Sequence, residues 1–540
     1  MYALKLPEQR RLRARRGERS GALAARASLS RWIYPLALVL SPMLSPMLSP
    51  PHAARAERSV SVDESFTVDL RDDNENGEQD DDNYALILNR LSFTANQSSL
   101  FGERDALSLD GRFDNLSFFR PPTSAFQDDH QLERISLRYQ VGALRLTLGD
   151  FYQLLGRGQV LALQKQDPAA PDVTIRGAHL EFRDRSNLFE LFAGYSNAVN
   201  LDMVSMHRVE NRADLLTGFN YQLNRFAFVQ PSVFSVFSQP EQSLLPDAQD
   251  KSISGGVALN FPEITEWCAV YLELDYQQRL EASQVIYGQA SYLTVDLNFE
   301  DYFMIVEAIG VEDFSQEGSF NSSLRQNFRY NFGPTLERLD QEVTEFNHFR
   351  GVRGKLTRAF LDHELFVYGN GLYRYNVPFE LDQIHGYSGV SYDAAGTALN
   401  LSGGYRWDEQ RDGQIIRIWR HAELSLKRQI HGPYSLEIDL TGQRITQYDK
   451  SFYRSINTAG VAKAGLGTLA GEWGVDTQRS GPGVRQHFFA GHIELQALDN
   501  LRVKGVIGSQ RGGLKCVGGV CRDFPAFSGV QLQVFYQNRW

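Results

Sequence analysis

The chain has 540 residues, with 55 Lys and Arg against 65 Asp and Glu, 42% hydrophobic and 12% aromatic residues, 45 Gly and 3 Cys. So few cysteines exclude a disulfide-dense scaffold or a cysteine-rich zinc protein. A mean hydropathy of -0.35, with no apolar run long enough to span a bilayer as a helix, excludes a helical membrane bundle. These bulk measures leave a β-barrel open, because a spanning strand needs only about ten residues and turns half of them toward a polar interior.

Residues 1–56 read as a secretory signal peptide. Ten basic residues (Lys5, Arg10, Arg11, Arg13, Arg15, Arg16, Arg19, Arg26, Arg31 and Arg55) stand against Glu8 and Glu18. The apolar stretch from Trp32 to Leu40 precedes a small-residue site at Ala54-Arg55-Ala56. Basic, apolar, small is the order such a signal requires, and Pro35, Pro42, Pro46 and Pro50 break a spanning helix. Without this segment 45 basic residues face 63 acidic ones, a net charge near -18. An exported chain of that charge repels nucleic acid and suits an outer-surface setting.

From residue 57 to the end the sequence repeats one theme, eight to fourteen residues alternating apolar and polar. In the hairpin Arg134 to Gly149, Ile135, Leu137, Tyr139, Leu144, Leu146 and Leu148 oppose Arg134, Ser136, Arg138, Arg145 and Thr147. Val270, Leu272, Leu274 and Tyr276 oppose Glu273, Asp275 and Gln277, and Leu293, Val295, Leu297 and Phe299 oppose Thr294, Asp296, Asn298 and Glu300. Tyr434, Leu436, Ile438 and Leu440 likewise oppose Ser435, Glu437, Asp439 and Thr441. A strand puts successive side chains on opposite faces, so each run has one greasy and one charged face. Tight polar turns, as at Val141-Gly142, Asp184 to Asn187 and His431 to Pro433, alternate with longer segments at 71–83, 119–131, 151–173, 198–211, 238–251, 313–344 and 511–523. Short connections on one rim and long ones on the other are the asymmetry of outer-membrane barrels. The expectation is an all-β fold: a single closed antiparallel transmembrane β-barrel of about 24 strands (range 20–26), with short periplasmic turns and longer extracellular loops, in the bacterial outer membrane. Its exterior would meet outer-membrane lipid and lipopolysaccharide.

Four local features carry candidate chemistry. In the acidic loop, Asp72, Asn74, Asn76, Glu78 and Asp80 place oxygens at alternate positions around Gly77. That spacing is similar to Asp-rich calcium loops of the EF-hand and thrombospondin type 3 kinds, and calcium takes six to eight oxygens. Asn83 stands where an EF-hand would have its bidentate Glu, and the alternative is a solvated acidic loop. The segments 151–173 and 313–344 are too long for simple turns. The first holds Tyr152, Arg157, Lys165 and Asp167, and the second holds Arg325, Arg329, Glu337, Arg338, Asp340 and Glu342. Folded into the lumen they would make a constriction of opposed charges; folded outward they would meet lipopolysaccharide or a partner. Cys516 and Cys521, four residues apart in a flexible stretch of an exported protein, are expected to form a structural disulfide. Cys268 shares parity with Val270 and Leu272 and reads as a small lipid-facing residue.

In the last strand Val530, Leu532, Val534, Tyr536 and Trp540 share one parity, interrupted by Asn538. This resembles the C-terminal signal by which the barrel-insertion machinery reads bacterial outer-membrane proteins. The whole chain after the signal segment resembles uncharacterised bacterial outer-membrane barrels of a domain-of-unknown-function type. The shared look lies in Gly149-Asp150-Phe151-Tyr152, Gly156-Arg157-Gly158, Ile175-Arg176-Gly177 and Gly512-Gly513 before the cysteine pair.

Enzyme motifs are missing: there is no nucleophile elbow, no helical zinc-binding His-Glu pair, and the 11 His are scattered. No cofactor is implied beyond the calcium candidate. The expected function is a porin-like conduit for a polar solute. The alternative is a surface platform that anchors a partner protein or an export system. A TonB-dependent receptor is disfavoured, since it carries a plug domain ahead of its barrel and here strands are expected from about residue 59.

Overall fold

A computed structural model describes residues 58–72, 82–98, 105–121, 126–164, 172–199, 209–241, 250–281, 284–321, 326–336, 347–480, 484–517, 520–524 and 526–539. The expected signal peptide, and Asn74, Asn76, Glu78, Asp80, Lys165, Asp167, Arg325, Glu337 and Trp540, lie outside them.

One 24-stranded antiparallel sheet runs from Arg58–Arg71 to Phe527–Arg539. These two strands pair with each other from Ser61 opposite Arg539 to Arg71 opposite Gly529, which closes the sheet on itself. Closure removes the exposed edges that an open sheet of this size would present. The strand number falls inside the expected range. Among the described residues three further two-stranded sheets stand outside the ladder: Gln153–Leu155 with Leu161–Leu163, Glu317–Asn321 with Gln326–Arg329, and Gly513–Val517 with Val520–Phe524.

The alternation read from sequence is the alternation of the wall. On Cys268–Glu281, Leu274 and Tyr276 are exposed while Glu273, Asp275 and Gln277 are buried, so the apolar row faces outward and the polar row faces the lumen. Cys268 lies on the outward row. On the closing strand Val530 and Leu532 are each 41% exposed, facing out with Val534 and Tyr536. The hairpin near Arg134 departs in one detail. Arg112 pairs with Arg134 but Phe113 pairs with Leu132, so Glu133 is an extra residue in a bulge and is buried.

Aromatic side chains mark both margins of the outward apolar band. Trp267 stacks on Phe299 at 4.9 Å near one rim, and Tyr276 stacks on Tyr287 at 6.1 Å near the other. Such girdles sit at the lipid headgroups. The connections sort as expected, with tight turns such as Ala394–Thr397 on one rim and the long segments on the other. In that turn Ala395 and Gly396 both have positive φ, 49° and 72°, the backbone of a type I′ turn that matches strand twist. Not every connection on the long rim is long: Gln447 pairs directly with Lys450 across a two-residue turn.

Candidate functional site in the lumen

A barrel of more than twenty strands encloses a space that is either filled or conducts. Here two segments from the long-loop rim fold inward and pack on one wall. The first follows Leu144–Phe151 and forms the hairpin Gln153–Leu155/Leu161–Leu163, with Leu155, Val160 and Leu161 fully buried. The second lies between Tyr302–Glu312 and His348–Phe360, and buries Phe314, Phe328 and Tyr330. Together with Phe192, Leu216, Phe234 and Val236 of the wall they make one apolar cluster inside the barrel. Apolar side chains at such spacing in a loop find burial only if the loop turns into the molecule.

The two segments interlock through main chain. Ala162 N–H donates to Tyr330 O at 2.7 Å and Phe332 N–H donates to Gly158 O at 2.9 Å. Asn331 Nδ2 donates to Gln159 O at 2.9 Å, across 172 positions of sequence. Polar side chains then moor the pair to the wall. Asp214 accepts from the Tyr330 hydroxyl at 2.6 Å, from Ser319 N–H at 2.8 Å and from Ser319 Oγ at 2.5 Å. Gln277 Nε2 donates to Ser315 O and its Oε1 accepts from Ser315 N–H, both at 3.0 Å. Gln316 Nε2 donates to Ser252 Oγ at 3.0 Å while its Oε1 accepts from Ser254 Oγ at 2.7 Å. Desolvated groups of this kind are stable only when paired, so each pairing fixes the loop as well as holding it. Burial, and then the Asp214 carboxylate, push the Tyr330 phenol well above its ordinary value of 10.0. It therefore stays a donor.

Arg157, one of the sequence candidates, sits at the tip of the first segment. Its N–H donates to Glu273 Oε2 at 2.8 Å and its guanidinium lies 4.5 Å from the centre of the Tyr271 ring. Gly156 precedes it at φ 57°, and a Cβ there would fall 2.4 Å from Glu273 Oε1, so only glycine lets the tip approach this carboxylate. Arg329 serves its own segment, donating from Nε to Asn331 O at 3.1 Å. Asp72 is the only calcium-loop candidate among the described residues, and its N–H donates to Ser528 O at 2.8 Å. Among the described residues no group of three or more His, Cys, Asp or Glu is placed to hold a metal. The backbone sets Cys516 directly opposite Cys521 in the outer hairpin. Sequence reasoning missed Asp214, Gln277 and Gln316 as mooring residues. Nothing local distinguishes them, though the apolar side chains of the two long segments were a usable signal.

Among the described residues, filling is confined to one level of the lumen. Toward the long-loop rim the inward side chains are buried on all sides, as at Leu86, Leu372, Ile445 and Phe488. Toward the short-turn rim inward side chains are exposed, as at Asn96, Asp393 and Asp439. Lys427, on the neighbouring strand, is exposed and pairs with Glu437. Their parity points them inward, so the solvent they meet is inside the barrel. The lumen is thus a wet vestibule of mixed charge beneath a packed outer layer.

A closed antiparallel barrel with a greasy exterior, a polar interior and two aromatic margins is an outer-membrane protein. None of the curated proteins matches the chain. Among solved structures it is similar to the siderophore receptor PirA from Pseudomonas aeruginosa, at 11% identity and TM-score 0.46, over 90% of this chain and 81% of that one. It is also similar to the P pilus usher (PapC) translocation pore, at 11% identity and TM-score 0.40, over 89% and 99%. The outer membrane protein opdK from Pseudomonas aeruginosa matches at 10% identity and TM-score 0.37, over 90% and 99%. A family of unknown function, DUF6029, matches residues 468–537, which span the last barrel strands.

Proposed function

We propose that the protein is a gated, porin-like conduit for a polar solute across the outer membrane, held shut in this conformation by two of its own outer loops. The observation that carries this reading is the level at which filling stops. Water-accessible charge of both signs lines the periplasmic half, and among the described residues packed loop lies in the outer half. A barrel that served only as an anchor has no need of a solvated, charged interior, whereas a passage for polar solutes does. The loops are moored by hydrogen bonds, and a handful of such bonds is a barrier that ligand or voltage can overcome. Mixed lumenal charge, as in Lys427 with Glu437 and Lys504 with Glu494, argues for a conduit without strong ion selectivity.

Conductance of the purified protein in a planar bilayer tests this. Wild type is expected to be largely closed with rare openings, and a variant that loses the Asp214 mooring is expected to open persistently. Silence from both would end the proposal. The second reading, a surface platform for a partner protein, draws on the hairpin Gly513–Val517/Val520–Phe524, which pairs with no barrel strand. A stoichiometric partner lost on deleting that hairpin, with conductance unchanged, would favour it.

A further inference from the structure

On the outward face, Arg420 of Ile415–His431 and Arg444 of Tyr434–Gln447 stand directly opposite each other in neighbouring strands. Tyr405 is opposite Arg420 on the next strand, and Tyr453 is opposite Arg444 on the other side, so a row Tyr-Arg-Arg-Tyr crosses four strands. Both arginines are exposed. The Arg420 guanidinium lies 5.7 Å from the Tyr405 ring centre, and the Tyr453 hydroxyl lies over Gly442, the next outward position below Arg444. Two like charges directly opposed on one sheet face repel.

Two other outward arginines toward this rim are neutralised. Arg176 pairs with Asp150 at 2.9 Å and Arg350 pairs with Glu312 at 3.5 Å. Among the described residues neither Arg420 nor Arg444 meets a carboxylate within ion-pair distance. Their depth names what would neutralise them. Below Arg444 the outward row is Gly442, Leu440, Ile438, Leu436 and Tyr434, and below Arg420 it is Ala422, Leu424 and Leu426. The pair therefore caps the apolar band on the long-loop side, at the level of the outer-leaflet headgroups and among the aromatic margin.

We propose that Arg420 and Arg444 form a binding site for the phosphate of an outer-leaflet lipid, a phosphorylated glycolipid of the lipopolysaccharide class. A phosphate between the two guanidinia converts their repulsion into charge-assisted hydrogen bonds of the bidentate kind. Tyr405 and Tyr453 flank it with phenol donors, and the lipid's acyl chains descend along Leu440, Leu436, Leu424 and Leu426. The site is independent of whether the lumen conducts.

Native mass spectrometry of the full chain in detergent, titrated with lipopolysaccharide, reads this directly. Wild type is expected to retain the lipid and the double variant R420Q/R444Q to bind at least tenfold more weakly. R428Q, an outward arginine at the periplasmic end of the same strand, is expected to bind like wild type. Enzymatically dephosphorylated lipopolysaccharide should lose the same factor on wild type. R420K/R444K, which keeps the charge and loses the planar fork, should fall between. Heat-modifiable mobility on gels verifies that each variant is folded, and R420K/R444K carries the test if R420Q/R444Q is not. Equal retention by wild type and the double variant, or undiminished binding of the dephosphorylated lipid, overturns the proposal. Inorganic phosphate displacing the lipid at equal concentration overturns the assignment to a lipid.

Discussion

Tyr330 donates its hydroxyl to Asp214 at 2.6 Å across 116 positions of chain, and both side chains are sealed from solvent. The bond joins an outer loop to the residue just before the wall strand Leu215–Leu223. Asp214 also accepts from Ser319 and from Glu241 N–H at 2.8 Å, so one carboxylate gathers three donor residues from two long segments.

Asp214→Ala is expected to free the second loop. It removes the carboxylate that the buried donors of Tyr330 and Ser319 share, at about 1–3 kcal/mol for each bond lost, a loss the loop avoids by moving into water. Limited proteolysis of the protein in outer-facing vesicles should cut within residues 313–336 at least tenfold faster than in wild type. Asp214→Asn, which retains one acceptor oxygen, should lie between. A cleavage rate equal to wild type for Asp214→Ala would show that the mooring is idle.

The pH dependence of the loop follows from Tyr330. Its phenol is raised in the folded state by burial and by Asp214. A raised value contributes stability that is complete below the unfolded value of 10.0 and is lost as pH climbs from there toward the folded one. Protection of the loop from protease should therefore be flat from pH 7 to 9 as far as this group is concerned, and decline above about 10. Tyr330→Phe should lose that alkaline decline. An unchanged decline in Tyr330→Phe would assign it elsewhere.

The two faces of Tyr434–Gln447 should answer oppositely to charge. Leu440 faces out near the middle of the strand and is 38% exposed, while Asp439 beside it faces the wet lumen. Leu440→Arg is expected to cost about 2–4 kcal/mol in a bilayer. Asp439→Asn is expected to stay within about 0.5 kcal/mol. Reversible denaturation from lipid vesicles measures both, and equal costs would mean that the faces are wrongly assigned.

Cys516 and Cys521 occupy opposed positions of an antiparallel pair. Such positions have Cα atoms about 4.5–5.5 Å apart, inside the range a disulfide spans. In protein purified from an oxidising compartment, maleimide after denaturation without reductant is expected to label Cys268 alone, and three sites after reduction. Because the loop closed is short, the barrel's thermal midpoint should hardly move on reduction. Three labelled thiols before reduction would exclude the bridge.

Much of this architecture was legible before any coordinates. Leu274 and Tyr276 against Glu273 and Gln277 announce which face is which, because alternation is a property of one strand and needs no partner to be read. Arg157 could be named as a lumen candidate, but not its partner Glu273, 116 positions away. Asp214 carries no local mark: it follows Ala213 at a strand start, and only the approach of Tyr330 and Ser319 makes it a mooring.

What the amino-acid order determined alone is the wall: strand rhythm, the sorting of short and long connections, and the outward apolar row of the closing strand. Each rests on neighbours two to ten residues apart and on the demand of lipid that backbone polar groups be paired. Only the tertiary structure decided where the long segments went, which half of the lumen they fill, and that Arg420 meets Arg444 on the outer face. Those outcomes depend on shear around the closed sheet and on contacts between groups up to 172 positions apart. Local pattern carries no record of such distances.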